Sequence, residues 1–468
     1  MRIKGKGAIA NILRCYSSQF ISMLTSMLLT LYMPKFLGVE QFSYWQLFLF
    51  YAAYTPILQL GLSDGIYLKY GGVVPTNRDK SLISGQLWTM VMLQGAVLLL
   101  AFAYVCLFVE NPDRRTVFMF VVFYAVLYNI FAYCSYAMQA LNIFKRMTRG
   151  IIFDKLSIML LLIVVIVFGW KHYELVIAIF SLGLLICDAY YIAGDRSLFL
   201  SRFKLNRDIF RELVGNAKCG INLMIANIAS LWIIGVGRFL IDVRYPIEIF
   251  GLVSFAFTLN QFILVFLSQI GTAIYPILKT KDDDFHKLLF PALNLLLSKL
   301  LPIALLVFPL LTWGIDAFLP KYHDAVQYFI CLFPLCLFES KNNLLYNTYF
   351  KVMREERSLL KINLLMLAAS SICAVSCVFW LKDLQLLLIG MTCCVMLKSF
   401  ILCHAIGNRV SAGASLILSD AIISIAFIIA NLYLGVGSFS WGIILVMVIF
   451  EIVRNKKKIA SAMKFFMK

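Results

Sequence analysis

The chain has 468 residues, 62% hydrophobic and only 14% charged, with a formal net charge of +18. A soluble domain usually carries about a quarter charged residues, and no soluble core hides this much apolar side chain. The composition therefore excludes an ordinary soluble protein. The positive charge does not point to nucleic acid either, because the basic residues sit in short segments between apolar runs, as membrane topology requires.

The apolar runs set the architecture. Leu82–Val109, Thr116–Phe144, Ile249–Leu278 and Ala421–Phe450 contain no charged residue. A helix needs about 20 residues to cross the hydrocarbon, and the alternation of a barrel strand is missing. The sequence predicts an all-α polytopic membrane protein with fourteen spans. Those before the middle of the chain are 12–32, 42–66, 83–109, 117–140, 151–170 and 174–193. Those after it are 215–237, 247–275, 291–314, 326–348, 359–380, 385–405, 411–433 and 436–453. The basic start Met1–Lys6 leads into a first span too long and too continuous with the rest to be a removable signal.

Placing both termini in the cytoplasm puts 30 of the 42 basic residues on that side and 8 outside, with four in or at the edge of spans. That asymmetry supports fourteen spans, since a missed pair would scramble the alternation. Residues 1–193 form an N-terminal lobe and 215–405 a second lobe of six helices. The charged stretch 194–214 links them as a cytoplasmic loop, with a short amphipathic helix lying at the bilayer surface. Residues 406–468 add a helix pair and a basic tail. A short echo, Lys35–Leu37 (KFL) after the first span and Arg238–Leu240 (RFL) after the seventh, suits two lobes in the same orientation.

The loops are too short for a soluble domain, and no phosphate-binding loop motif is present. The twelve cysteines lie mostly in apolar runs without histidine partners, so they read as small hydrophobes, and no metal or cofactor is expected. No nucleophile–histidine–acid group appears, so the chain does not read as an enzyme.

Ionisable residues within spans are expensive to bury and become the candidates for function. Lys299 falls near mid-depth of its span, and Glu339, Lys341, Lys398 and Asp420 lie inside theirs. Asp64, Lys155, Asp188 and Lys218 lie near the cytoplasmic ends. Lys155 and Lys218 either face a cavity or snorkel to the interface; Asp154 offers Lys155 a local partner. Glu339 and Lys341, two residues apart, do not share a helix face, so at least one meets another helix. Asp420 reads as a packing contact. Gly61, Gly65, Gly71 and Gly72 read as a tight turn with Asp64 set against Lys69. Pro56, Pro302, Pro309 and Pro334 mark bends within spans.

Residues 22–65 carry a resemblance. Pro34 ends the first span, Leu37–Gly38 and Phe42–Trp45 form the following turn, and Gly61–Leu62 close the second span. This pattern resembles the polysaccharide or O-antigen flippases, in the superfamily that also holds the MATE multidrug exporters and the peptidoglycan lipid flippase. The resemblance implies two six-helix lobes and alternating access in the bacterial cytoplasmic membrane. The cargo it implies is an undecaprenyl-pyrophosphate-linked oligosaccharide, turned outward for lipopolysaccharide or capsule synthesis. It also implies a functional monomer, with glycosyltransferases and a polymerase as partners. A cationic cavity suits the family's anionic carrier, and Arg14, Lys155, Lys218, Lys299 and Lys341 are the substrate-binding candidates on depth and charge. Asp64 and Asp188 are the candidates for a coupling ion. A MATE-like exporter would want acids in the first lobe, and spans one to five contain almost none, which argues against it; a polymerase would want a large outer loop, which is lacking. A scaffold for sugar enzymes remains open.

Overall fold

The computed structural model describes residues 20–71, 75–201, 207–279, 283–353, 355–410 and 415–467, and every regular element among them is helical. The chain packs as two compact units, Met1–Ile228 and Ala229–Lys468.

The first unit begins with α1 (Phe20–Leu37), which carries a π-helical turn at Leu28–Tyr32. Gly38 takes φ +78°, turning the chain into α2 (Val39–Ala52). The expected span 42–66 is not one helix. After α2 the chain makes a 3-10 turn, Thr55–Gln59, and passes through two left-handed residues, Leu60 and Gly61, into α3 (Leu62–Tyr70). Pro56 has no N–H to continue the ladder, which gives the break its local cause. A break inside a membrane frees carbonyls that need donors. Here Gln94 donates to the Leu58 carbonyl at 2.9 Å, Asn129 donates to Gln94 at 3.0 Å, and Gln59 donates to Asn129 at 2.8 Å. Three neutral amides thus stitch the broken segment to its neighbours.

The neighbours are α4 (Asn77–Phe108), opened by a Thr76–Asp79 capping box, and α5 (Pro112–Ala140), capped by Asn111 with proline in its first turn. Then come α6 (Phe144–Phe168) and α7 (Tyr173–Gly194). Leu62, Ile83, Leu87, Tyr133, Met138 and Tyr191 belong to one buried core. A second aromatic cluster joins Trp45, Phe48, Tyr124 and Phe180.

The long helix α8 (Arg207–Arg244) begins in this unit. Gly65 does not lie in a turn, as expected, but within α3 against α8. A Cβ there would overlap the Asn216 carbonyl, and one on Gly220 would overlap the Gly61 carbonyl. The two backbones touch, as small residues permit between membrane helices.

The second unit holds the rest of α8, then α9 (Ile247–Lys279) and α10 (Asp283–Leu300). A 3-10 segment at Leu301–Val307 carries Pro302 into α11 (Phe308–Phe318). The expected span 326–348 is again divided, into α12 (Ala325–Leu332), α13 (Leu335–Lys341), a π segment and α14 (Asn347–Val352). Pro334 sits at the first break. Then follow α15 (Glu356–Val375), α16 (Leu384–Val410), α17 (Ser415–Leu434) and α18 (Ser438–Arg454). The chain bends by 64° after α18 into the amphipathic α19 (Lys456–Met467). Phe308, Phe329, Phe333 and Phe427 pack ring against ring at 5.0–5.7 Å between centroids.

Among the described residues, eleven helices or helical stretches are long and apolar enough to cross a membrane, and the bent pair α18–α19 makes a twelfth. The two remaining expected spans are the divided ones. Side chains such as Leu99, Leu100, Leu107 and Val167 point outward and are more than 70% exposed. Such surfaces belong in lipid rather than water.

Candidate functional site: buried charges within the helix packing

Three lysines within the helices of the second unit, Lys299, Lys341 and Lys398, are buried, and each meets an acid. Lys341, at the end of α13, pairs with Asp420 on α17 and also donates to the Ser298 hydroxyl on α10. Both members of that pair are 1% exposed. Lys299 on α10 lies 2.6 Å from Glu451 on α18 and 3.1 Å from the Ser419 hydroxyl on α17. Glu451 also takes Arg454 at 2.7 Å. Lys398 on α16 donates to the Ser230 hydroxyl on α8 at 2.7 Å, with Glu339 on α13 at 4.0 Å.

The cause is local. Lys341 and Glu339, two apart on one helix, point to different neighbours, and each finds its opposite charge there. Removing a charge from water costs several kcal/mol, so each buried ammonium needs an anion and further oxygen ligands. The serines supply those ligands. Depth and charge made Lys299 and Lys341 candidates for a cavity; in the structure both ammonium groups are engaged by acids of the final helices. One Asp420 oxygen, Oδ1, is buried without a hydrogen-bond partner among the described residues.

The first unit differs. Lys155 on α6 pairs with its neighbour Asp154 at 2.8 Å and lies 5.4 Å from the Phe180 ring centre, with a quarter of its side chain exposed. Asp188 on α7 is buried, and among the described residues neither of its carboxylate oxygens has a hydrogen-bond partner, nor does Asp154 Oδ1. Gly183 leaves the space that Asp154 Oδ1 fills, since a Cβ there would meet it at 2.5 Å. Asp64 is half-buried on α3, and Lys218 is exposed on α8. Arg14 lies outside the described residues.

Lys69 is not matched with Asp64. It pairs with Glu212 of α8, which also accepts from the Tyr70 hydroxyl at 2.9 Å. Five residues of helix turn Asp64 and Lys69 to different faces, which explains the change of partner. Burial, with help from the Glu212 carboxylate, raises the Tyr70 phenol above its ordinary range.

The sequence reading missed Glu451, Ser298, Ser419 and Ser230. Glu451 carried a usable signal, as a lone acid beside the last apolar run. The serines carried none, because small polar residues are common in membrane helices.

The fold is that of polytopic flippases and transporters of the MATE-containing MOP superfamily. No protein-family model matches the sequence, and no curated protein matches it. The described likeness is structural. The chain is similar to the lipid II flippase MurJ in an inward closed conformation, at a TM-score of 0.68 and 12% identity, covering 96% of this chain and 100% of that one. It is also similar to an inward-facing multidrug resistance MATE transporter of the MOP superfamily, at 0.62 and 11%, covering 86% and 98%. A MOP superfamily transporter from Pyrococcus furiosus, described as having a binding pocket of reversed polarity, aligns at 0.50 and 13%, covering 86% and 95%. The chain is therefore a multi-pass membrane protein with this transporter fold.

Proposed function

We propose that the chain is a flippase that carries undecaprenyl-pyrophosphate-linked oligosaccharide from the inner to the outer leaflet of the bacterial cytoplasmic membrane. It works by alternating access, without catalysing a reaction, and its termini lie in the cytoplasm. The carrying observation is the likeness to a lipid flippase over almost the whole of both chains. The cation inventory supports an anionic cargo. Lys155 and Lys218 are the more accessible of the candidates, and Lys299 and Lys341 bind cargo by exchange: a pyrophosphate competes with Glu451 and Asp420 for ammonium groups already desolvated. A doubly charged group is a stronger partner than one carboxylate, so the exchange has a physical driving force. Asp64 and Asp188 are the proposed coupling-ion groups.

A second reading, a MATE-like cation exporter, is favoured by one observation. Asp188 is a buried acid of the first unit without a hydrogen-bond partner among the described residues, the kind of group a cationic cargo would meet.

The test is the leaflet distribution of undecaprenyl-linked oligosaccharide, scored with an impermeant reagent in cells with the wild type, a deletion and Asp188→Asn. The flippase reading expects the deletion to trap the unit inside. An unchanged distribution in the deletion sinks it for that cargo. Restored sensitivity to cationic drugs in both the deletion and Asp188→Asn would then carry the exporter reading.

A further inference from the structure

The charged stretch at the middle of the chain builds something the transport reading does not use. The first turns of α8 and the lipid-exposed side of α4 enclose an open groove of about 940 Å³ within the first unit. Leu93, Phe210 and Val214 give it an apolar floor, and Arg207, Asp208 and Arg211 form its polar rim. Arg207 and Arg211 are four residues apart, so they share one face of α8, and both are exposed. Asp208, on the same rim, lies 3.9 Å from Arg78. Neither Arg207 nor Arg211 has an ion pair with another described residue.

The floor continues away from the rim. Leu93, Val97 and Leu100 follow one another at helical spacing on α4 and are 52%, 52% and 74% exposed. They form an apolar track leading from the two guanidinium groups along the lipid-facing side of the helix. Guanidinium pairs match phosphate oxygens with parallel hydrogen bonds, while an aliphatic stripe matches a hydrocarbon tail. Two fixed charges at the head of an apolar track make a shape for an amphiphile, not for a free ion.

We infer that this groove docks an anionic, phosphate-bearing membrane lipid, with its headgroup on Arg207 and Arg211 and its tail along Leu93, Val97 and Leu100. The leaflet is the one on the basic side of the membrane. The site depends on the membrane placement of the chain and not on the identity of its cargo.

The experiment uses the full-length chain in detergent micelles, with bound lipid counted by native mass spectrometry. The probes are dioleoylphosphatidic acid, diolein as the same tails without phosphate, and inorganic phosphate as the headgroup without tails. Wild type is compared with Arg207→Gln/Arg211→Gln and with Lys456→Gln/Lys457→Gln, which removes the same charge from exposed positions on α19. Leu93→Glu tests the track, and a melting curve on each variant keeps only folded protein in the comparison. Phosphatidic acid should bind the wild type and the α19 variant equally, and the arginine variant at least about tenfold more weakly, the loss of one to two charge-assisted phosphate contacts. Leu93→Glu should weaken it too, and diolein should not be retained. Equal binding to all variants overturns the inference. So does an equal loss in the α19 variant, which would mean net charge alone. Full displacement by millimolar inorganic phosphate would show an ion site without a lipid, and overturns it as well.

Discussion

Two places in the molecule, the broken segment of the first unit and the buried lysines of the second, accommodate polar groups inside a membrane protein by different chemistry. The first unit stitches its broken segment with neutral amides: Gln59, Asn129 and Gln94 bond in series and end on a backbone carbonyl. The second unit uses full charges, with Lys341 on Asp420, Lys299 on Glu451 and Lys398 near Glu339. A neutral chain holds geometry at modest net energy and does not respond to pH. An ion pair costs much to desolvate and is valuable mainly for what breaking it does. Difference in chemistry therefore marks a difference in purpose. The amides fix a break in place, while the charges hold α10 and α13 to the last two long helices in a way that a strong anion can compete with.

Breaking the contrast at its strongest point gives the largest effect. Asp420→Asn leaves the Lys341 ammonium buried without its anion. The expected loss is about 3–5 kcal/mol, the usual result of removing one partner of a buried pair. It is read as a fall in melting temperature of the purified protein. The double change Lys341→Met/Asp420→Leu should recover most of that loss, because an apolar pair has no desolvation to repay. If the double variant melts as low as the single one, the charges are not what holds those helices.

The neutral side of the contrast predicts less. Gln94→Ala strands the Leu58 carbonyl and an Asn129 donor together, at about 1–3 kcal/mol for an unsatisfied buried group. The melting shift should be smaller than that of Asp420→Asn, and the same at pH 6 and pH 8. A loss that grows with pH would mean that the amide chain is coupled to a titrating group.

An exposed pair completes the series. His323, in the turn between α11 and α12, lies 2.7 Å from Asp316, and both are largely exposed. Its hydrogen bond to that carboxylate, and then the carboxylate's charge, raise the imidazole above its ordinary value. A raised folded pKa contributes stability that is present below the unfolded value, about 6.5, and is lost as pH rises through the raised folded value. Solvent screens so exposed a pair, so the melting temperature should barely move. The readout is the His323 titration itself, by NMR of labelled histidine. Asp316→Asn should bring its midpoint back down, and a midpoint that stays put removes the pair from the account.

Much of this was legible in the sequence. Uncharged runs about 30 residues long can only be spans, so the helical architecture followed from length and charge. The two divided spans were not legible as divided. Pro56 and Pro334 hinted at bends, but a bend and a break differ only in whether donors such as Gln94 stand ready on another helix. The site was legible by kind and not by partner. Lys299 and Lys341 stood out because lysine is costly at that depth; that Glu451 and Asp420 answer them depends on which faces of distant helices meet. Five residues of helix sufficed to separate Asp64 from Lys69, a distinction that proximity in sequence conceals.

The contact of Gly61 and Gly65 with Gly220 has a consequence for mutational tolerance. Across most of an apolar helix, alanine is the mildest replacement and a charge the harshest. On this seam one methyl group meets a backbone carbonyl that has nowhere to go. A saturation library should therefore show at these glycines an intolerance that is blind to polarity and already present at alanine, inside helices that elsewhere sort substitutions by hydrophobicity. Three residues without side chains would be among the least replaceable in the chain.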